Sequence, residues 1–405
     1  MPNNVKKYDV VIVGAGNAGL MVASKLFGSG RSVLLVDSNP NPLVPINHIY
    51  GTFFETIQKF NLQKYIINTC DTFIFQCPGT TVKFDWSKKP FSCLDTREWA
   101  RELKLDCDIK GGARVKNAKR VKDGIEIETN DGAHFLATIA VDCSGDNKVL
   151  SKFLGIKTYK DGYVDLTYIC GDCEVARTNE VIFMTDLRYF NISGWWYPYN
   201  AREGFLGLSN INELRDFSRE EMEKNKIGFI KNNEPFTSYL SQSKNKFELF
   251  KIGPPTRVNY KITDDNFIAV GDAAGAGTTL CGEGFRIALE MGDKAGDAIL
   301  EAFRKNDFSR KSFVSYEAFY EKRYGRFSRW GKVFTYFFVR AATNTIVGIL
   351  FRRAKSKWTE EQFYSFTKNE ITPGLLFPLL TPKVFFIGLK NLILHYLGLS
   401  FSRGD

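Results

Sequence analysis

The chain has 405 residues, of which 44% are hydrophobic and 25% are charged. This length suffices for two or three domains, and this composition excludes a disordered, collagen-like or small disulfide-stabilised protein. No run of about 18 uncharged apolar residues occurs, so we expect no transmembrane helix. A strand begins within eight residues of the N-terminus, so we expect no signal peptide and a cytoplasmic protein whose cysteines are reduced.

The net charge of +10 is concentrated near the C-terminus. Residues 301–405 contain 18 Lys and Arg but only 8 Asp and Glu, which accounts for the whole excess. Such a basic region favours an anionic partner, either a membrane surface or a polyanion. The 35 phenylalanines favour apolar ligands, and no recognition motif accompanies the charge, so we expect no nucleic-acid partner.

The chain opens with the pattern of a βαβ unit. An apolar strand over residues 8–13 precedes the turn GAGNAG, a helical segment, and a second strand over 32–36 that ends at Asp37. In such a unit the first glycine permits a tight turn and the second lets a pyrophosphate approach. The third lets the helix pack on the strand, and the acid binds a ribose. The pattern predicts a dinucleotide site that includes Gly14, Gly16, Ala18, Gly19 and Asp37.

The middle of the chain has the pattern of a β-rich region. Between residues 72 and 253, short aromatic and β-branched runs alternate with Gly, Asn and Asp turns, and a hairpin is predicted around Asn130-Asp131-Gly132. Cys170 and Cys173 form a lone CxxC. Because no second pair accompanies it, we expect no metal site, and ordinary thiols or a disulfide stay open.

A second glycine-rich turn follows a strand over residues 266–270. Gly271 and Asp272 come directly after this strand, and the segment CGEG at 281–284 precedes a helix. A carboxylate between a strand end and a glycine-rich helix start suits a second contact with a long dinucleotide. The additional predicted cofactor residues are Gly271, Asp272, Gly282 and Gly284.

These two distant motifs resemble the FAD-binding pattern of the hydroxylase-type flavoprotein superfamily. That superfamily includes aromatic hydroxylases, flavin halogenases, geranylgeranyl reductases and lycopene cyclases. The resemblance implies FAD as the cofactor. The segment DTREW is similar to the superfamily's arginine-containing element, which implies that Arg97 contacts the flavin phosphates, and VDCSG at 141–145 resembles its D-A-[ST]-G strand end.

The resemblance implies an α/β fold in three parts. The first is a discontinuous Rossmann-like FAD-binding domain over residues 1–160 and 255–300, with part of 70–95 assignable to the substrate sheet. The second is an inserted mixed β-sheet domain over 161–254 that binds the substrate, and the third is a basic, apolar helical region over 301–405.

One segment resembles the geranylgeranyl reductases in particular. The sequence GWWYP, followed by GFLGLS, is similar to the reductases' aromatic residues, proline and glycine-containing strand. In that family this strand lines a tunnel for a polyprenyl chain, which implies that Trp195, Trp196, Tyr197 and Pro198 bind substrate. A strand inside a hydrophobic core is the alternative explanation. The segment GDAAG…GEG also resembles the reductases, although Leu280-Cys281 replaces their usual residues.

The loop at residues 45–51 departs from the reductase pattern. It lacks the reductases' Cys-Gly pair and looks more like a lycopene cyclase, but residues 205–209 lack the glutamates of the cyclases. His48 is the only histidine near this loop and is the candidate proton donor. Our hypothesis is an FAD-dependent reductase of polyprenyl double bonds. The alternatives are a monooxygenase or halogenase, a cyclase-like enzyme, or a lipid-binding flavoprotein without turnover.

Two apolar segments, at 333–351 and 375–399, are interrupted by charges and prolines. Basic residues such as Arg352, Arg353, Lys355 and Lys357 flank the first, so we expect peripheral contact with an anionic membrane. A helical cap over the substrate tunnel is compatible with that contact. The electron donor is not identified, because no separate nicotinamide-binding unit is visible.

Overall fold

The computed structural model describes residues 5–44, 49–159, 162–175, 177–189, 193–212, 219–234, 236–242, 245–255, 261–278 and 283–399. Within these ranges, the strands are β1 Val5–Val13, β2 Val33–Val36, β3 Ile49–Thr52, β4 Ile66–Cys70, β5 Thr72–Cys77, β6 Thr80–Asp85, β7 Phe91–Asp95, β8 Asp108–Lys110, β9 Val115–Val121, β10 Gly124–Thr129, β11 His134–Asp142, β12 Gly162–Gly171, β13 Glu180–Met184, β14 Ser193–Pro198, β15 Gly204–Asn212, β16 Asn245–Pro255, β17 Thr263–Asp264 and β18 Phe267–Ala269.

The helices of the same ranges are α1 Asn17–Lys25, α2 Phe54–Lys59, α3 Thr96–Glu102, α4 Val149–Phe153, α5 Arg219–Asn232, α6 Phe236–Gln242, α7 Phe285–Lys305, α8 Val314–Tyr320, α9 Arg326–Ala341, α10 Asn344–Lys357, α11 Glu360–Thr367, α12 Pro373–Leu376 and α13 Pro382–Tyr396.

The first sheet has a parallel core in the order β18-β11-β1-β2-β8. Strands β1 and β2 are apolar along nearly their whole buried length, as expected for parallel strands that are covered on both faces. Strands β9 and β10 extend this sheet in antiparallel pairing, and the predicted turn at residues 130–132 joins β10 to β11.

Helices α1 and α7 pack closely against each other although they are far apart in sequence. A Cβ atom at Gly292 of α7 would lie 2.8 Å from the Cβ of Met21, and one at Gly296 would overlap with Lys25. Lys25 also pairs with Asp293 at 2.9 Å and with Asp297 at 3.0 Å. Small residues on α7 therefore let the two helices approach closely.

The second sheet has the order β16-β12-β15-β14-β13-β5-β6. All its pairings are antiparallel except that between β13 and β5. Strands β5 and β6 belong to this sheet although they precede its other strands by about ninety residues along the chain, as their register shows.

A small third sheet, in the order β3-β7-β4, lies where the two larger units meet. Within β3, the side chain of Ile49 packs against the core of the second sheet and the side chain of Tyr50 packs against the core of the first. Successive residues of a strand point to opposite faces. Strand β3 therefore contacts both hydrophobic cores.

The C-terminal helices cover one face of the second sheet. Residues of α10, α11 and α13, among them Ile346, Phe363 and Val384, share a core with Phe73, Phe75 and Phe183 of the sheet. The α/β fold with an inserted mixed sheet and a C-terminal helical region, predicted from the sequence, is confirmed.

None of the helices in the described residues is alone long and apolar enough to cross a membrane. The helical segments Pro373–Leu379 and Pro382–Tyr396 together reach that length and hydropathy, but the chain bends by 101° between them.

Candidate cofactor and substrate site

Each of the three glycines of the first turn lacks a side chain for a different structural reason. Gly14 has a φ of +105°, and a Cβ atom there would overlap with the carbonyl of Cys143 at the end of β11. A Cβ atom at Gly19 would overlap with the carbonyl of Gly14, so this glycine lets α1 pack against the turn. A Cβ atom at Gly16 would have no described atom within 4 Å. The open side at Gly16 leaves room for a ligand at the N-terminus of α1.

Asp37 holds the first turn in shape. Its Oδ2 accepts a hydrogen bond of 2.6 Å from the backbone N–H of Ala15, and its Oδ1 accepts one of 2.6 Å from that of Asn39. Each carboxylate oxygen has a second lone pair. Asp37 can therefore fix the glycine turn and accept hydrogen bonds from a ribose at the same time.

The second turn lies directly against the first. Gly271 has a φ of +63°, begins the 3₁₀ turn Gly271–Ala274, and an ideal Cβ atom there would lie 3.3 Å from the Cβ of Ala18. Ala18 is buried, so it serves the packing of the two turns. Asp272 is partly exposed in this turn, and Gly284 caps the N-terminus of α7. Two helix N-termini and two carboxylates thus occupy one region, which fits a dinucleotide cofactor.

Tyr50, which the sequence analysis did not single out, connects the two turns. Its ring stacks on that of Phe285 with centroids 4.8 Å apart, and its hydroxyl hydrogen-bonds the side chain of Asn17 in α1. Burial raises the pKa of Tyr50 to about 12, and the nearby carboxylate of Asp272 acts in the same direction. The hydroxyl therefore stays protonated at neutral pH. The position of Tyr50 becomes clear only where β3, α1 and α7 meet. The sequence around Tyr50 has no pattern of glycines or acidic residues that would mark it as part of a site.

Arg97 lies in the first turn of α3 and is 48% exposed. Its Nε donates to both carboxylate oxygens of Asp95, at 3.0 and 2.9 Å, and Asp95 also caps the helix. The pairing with Asp95 raises the pKa of Arg97. The contact of Arg97 with flavin phosphates stays a prediction.

Some of the predicted residues lie outside the described residues. These are His48 in the loop before β3 and Gly282 in the segment before α7, and the same holds for the side chain of Cys170. The Sγ of Cys173 contacts the carbonyl oxygen of Arg202 at 3.6 Å in the core of the second sheet.

The aromatic residues of β14 do not all face the same way. Trp195 and Tyr197 lie on the face that the C-terminal helices cover, whereas Trp196 points to the opposite face and is fully buried against Tyr239 of α6, with ring centroids 4.2 Å apart. Pro198 is two residues after Trp196 in the strand and therefore lies on the same face of the sheet as Trp196. The prediction that Trp195, Trp196 and Tyr197 line one site is therefore corrected: Trp196 is a core residue.

Glycines in β15 accommodate these rings. A Cβ atom at Gly207 would overlap with the ring of Trp195, and one at Gly204 would overlap with the ring of Trp196. Gly207 is the direct cross-strand partner of Trp195. The glycine-containing strand that resembles the reductases thus lets flat rings lie over the sheet.

A buried ion pair supports the second turn. Arg286 of α7 is 1% exposed, and its Nη2 donates to Glu283 at 2.9 Å and to the carbonyl oxygen of Lys368 at 3.1 Å. Burial raises the pKa of Glu283, and the nearby charge of Arg286 opposes that shift. This pair links the segment before α7 to the C-terminal helices. The sequence analysis missed it, although the spacing of three residues across a helix start is a recognisable signal.

Comparison with known proteins agrees with this geometry. Residues 9–164 match the family described as lycopene cyclase protein. The digeranylgeranylglycerophospholipid reductase of Methanococcus vannielii is 23% identical over 80% of this chain and 84% of its own length.

Two solved structures share the fold. A geranylgeranyl bacteriochlorophyll reductase-like protein of Thermoplasma acidophilum superposes with a TM-score of 0.80 at 15% identity, covering 96% of this chain and 99% of that protein. The halogenase PltM, solved in complex with FAD, has a TM-score of 0.64 at 16% identity and covers 96% of this chain and 91% of its own. The chain therefore has the fold of these two proteins, and its predicted resemblance to the geranylgeranyl reductases is confirmed over most of its length.

Proposed function

We propose that this chain is an FAD-dependent reductase that saturates carbon–carbon double bonds of a polyprenyl lipid, of the kind on which the named archaeal relatives act. When bound, reduced FAD would supply a hydride to such a double bond and become oxidised, and an acid or water would supply the proton that completes the saturation. Gly14, Gly16 and Asp37 would hold one part of the cofactor, and Gly271, Asp272 and Gly284 would hold an adjoining part. Tyr50 would connect these two groups of residues through its contacts with Asn17 and Phe285.

The observation that carries the proposal is the position of β3 between the cofactor residues and the aromatic strand. Tyr50 belongs to the cofactor side, while a Cβ atom on the next residue, Gly51, would lie 3.2 Å from the ring of Tyr197. Tyr197 also stacks on Phe205 with ring centroids 6.2 Å apart. A flat apolar surface therefore begins one residue from the cofactor residues, which suits a polyprenyl chain that binds through buried apolar area.

We infer that the protein also contacts an anionic membrane through α13. Phe385, Phe386, Leu389 and Ile393 form what we call the α13 face, and their side chains are exposed, with Phe386 at 66%. The opposite side of α13 is buried against α9, where Asn391 donates to the carbonyl oxygen of Ala341 at 2.8 Å. Exposed Lys383 and Lys390 flank the α13 face. An apolar stripe with flanking cations is typical of a helix that lies in a membrane interface.

Three of the four cations that the sequence analysis assigned to the membrane have partners inside the protein. Arg353 donates to the carbonyl oxygen of Pro378 at 2.6 Å, Arg352 donates to Thr80, and Lys355 pairs with Glu360 at 3.2 Å. These residues hold the helical cap in place. Lys383 and Lys390 of α13 are better placed to meet a membrane.

The reductase proposal is tested with the full chain under anaerobic conditions. The FAD-loaded protein is reduced with dithionite, and digeranylgeranylglycerophospholipid in detergent is added. We expect the flavin absorbance to return and the lipid to gain two hydrogen atoms for each double bond reduced. The same lipid with saturated chains is the control and should leave the flavin reduced. Unchanged lipid beside a persistently reduced flavin would overturn the proposal.

A cyclase-like activity is the second candidate, because the lycopene cyclase family matches residues 9–164. Cyclisation rearranges a polyene without changing its mass, whereas reduction adds hydrogen. Mass spectrometry of the lipid product therefore separates the two activities in the same experiment.

A further inference from the structure

Three side chains form a cluster where the last turn of α9 meets the end of α13. The Cζ of Arg340 lies 3.6 Å from the ring centroid of Tyr336, and its Nη1 donates to the hydroxyl of Tyr396 at 3.3 Å. The hydroxyls of Tyr336 and Tyr396 also hydrogen-bond each other. Two tyrosines thus fix the plane of one guanidinium group.

The positive charge of Arg340 is not neutralised within the described part of the chain. No described carboxylate lies within 4.0 Å of its nitrogens, and its Nε is buried without a described hydrogen-bond partner. Arg286 and Arg323 differ, since Arg286 pairs with Glu283 and Arg323 pairs with Glu290 and Glu370. Arg353 has no described carboxylate partner either, but its Nε and Nη2 both donate to a carbonyl oxygen. Of its four Nη hydrogens, one is donated to Tyr396, so Arg340 retains Nη donors for an acceptor from outside.

The cluster lies at one end of the α13 face. Tyr396 is 68% exposed and follows Ile393 by one helical turn. Arginine and tyrosine side chains suit this position, because each buries an apolar part while its polar end stays near water at the level of lipid headgroups.

We propose that Arg340, Tyr336 and Tyr396 bind the phosphate of a bilayer phospholipid when the α13 face lies in the membrane. The inference rests on the membrane contact proposed above and names the group that this contact recognises. A guanidinium binds phosphate oxygens through two parallel N–H groups, and the tyrosine hydroxyls supply further donors. The ligand is a lipid because the cluster lies at one end of the exposed apolar α13 face, and a bilayer that covers this face brings its headgroup phosphates to the cluster.

The test compares two vesicle surfaces of equal negative charge. Galactolipid vesicles carry either phosphatidylglycerol or oleic acid, which has no phosphate. Because the bilayer and neighbouring like charges raise the pKa of the fatty-acid carboxyl, its mole fraction is adjusted until both vesicles have the same zeta potential. We expect the native chain to bind the phosphatidylglycerol vesicles about tenfold more tightly, as two charge-assisted hydrogen bonds allow. Binding is measured by flotation over a range of lipid concentrations.

Variants of the full chain separate recognition from simple attraction. Arg340→Gln should lose the preference for phosphate, and Arg340→Lys should keep only part of it because lysine lacks the planar fork. Lys390→Gln is the matched control: it removes one exposed cation beside the α13 face and should weaken binding to both vesicles equally. If Arg340→Gln keeps the preference, or Lys390→Gln loses as much of it, the proposal is overturned.

Two further measurements keep the outcomes distinguishable. Tyr396→Phe alters only an exposed hydroxyl, so it should fold normally and lose part of the preference even if Arg340→Gln unfolds. Native protein that binds both vesicles equally would overturn the phosphate site alone, whereas native protein that binds neither would also overturn the membrane contact. The reduction assay in detergent reports on the reductase proposal independently of both.

Discussion

The glycine-rich turn contains two glycines with different effects. One is required for the stability of the fold, and the other leaves room for a ligand. Gly14 needs its positive φ and lies against the carbonyl of Cys143, whereas Gly16 has an ordinary φ of −71° and an open side. A methyl group at the first position must strain the protein, and a methyl group at the second occupies space that a ligand would use.

We therefore predict opposite phenotypes for two alanine variants. Gly14→Ala should lower the free energy of unfolding by about 2 kcal/mol or more, because it combines backbone strain with an overlap. Gly16→Ala should change it by about 0.5 kcal/mol at most but lower FAD affinity about tenfold, equivalent to 1.4 kcal/mol. Denaturant unfolding and flavin titration measure the two quantities. A Gly16→Ala protein that binds FAD normally would contradict this assignment of the turn.

The local pattern predicts the glycine-rich turn because its glycines and Asp37 lie within one βαβ unit, although Cys143, the neighbour that leaves no room for a Cβ atom at Gly14, is distant in sequence. The roles of Tyr50 and Arg286 were not predictable in the same way, since each depends on chain segments that meet only after folding. The opposite orientation of Trp195 and Trp196 was within reach of the sequence: adjacent residues of a strand face opposite sides. The resemblance to a family motif groups the aromatic residues of β14 as one set, whereas the alternation of the strand places them on two different faces of the sheet.

At the scale of secondary-structure elements, β14 has two faces with different surroundings. Trp196 is fully buried on one side, and Tyr197 is partly buried beside Gly51 on the other.

We predict that Trp196→Ala costs about 3–5 kcal/mol of stability, as large core truncations do. Tyr197→Ala should cost less and raise the KM for the polyprenyl lipid. Calorimetry and steady-state kinetics with the two variants test this; equal losses of stability would contradict it.

A buried carboxylate joins the second sheet to its neighbouring helices. Asp186, just after β13, accepts hydrogen bonds from Arg188 at 2.9 Å, Asn344 of α10 at 3.1 Å and Asn233 at 3.2 Å. Burial alone would raise the pKa of Asp186, but the hydrogen bonds from Arg188, Asn344 and Asn233 outweigh it and lower the pKa. The ionised carboxylate is thus favoured by folding.

This direction fixes the sign of a pH effect. A carboxyl group whose pKa is lowered by folding stabilises the protein above its unfolded pKa, and the contribution is lost as the pH falls through the folded pKa. We predict that Asp186→Asn lowers stability by about 1–3 kcal/mol at pH 7, and that the difference shrinks in acid. Urea unfolding at several pH values measures it, with the exposed Asp123→Asn as a neutral control. A difference that is independent of pH would contradict the role of the charge.

On the scale of the whole molecule, fewer cations of the basic C-terminal region are available to bind an anionic partner than its composition indicates. Several of its arginines pair with carboxylates, for example Arg304 with Glu301 and Arg310 with Glu317. The excess positive charge is thus carried by the remaining cations, including Lys383 and Lys390 beside the α13 face. Composition predicts an anionic partner, and only the structure shows which cations stay exposed to meet one.

Membrane binding should therefore have two parts with different salt dependence. Raising the ionic strength from about 0.1 M to about 1 M shortens the screening length from about 10 Å to about 3 Å. We predict that binding to vesicles with anionic lipid weakens toward the level seen with phosphatidylcholine alone, which salt should leave unchanged. Phe385→Ser/Phe386→Ser should reduce both parts, and Phe27→Ser, an exposed phenylalanine far from α13 in sequence, is the control. Binding that is insensitive to the double substitution would contradict the apolar contact.

The packing of α1 against Gly292 and Gly296 of α7 has a consequence for biosynthesis. The nascent polypeptide must emerge from the ribosome almost to residue 300 before the βαβ unit made at its beginning meets the helix that completes it. The inserted sheet is translated in between, so we expect the proposed cofactor site to form late in synthesis, and a product released by a ribosome that stalls earlier to lack the second half of that site.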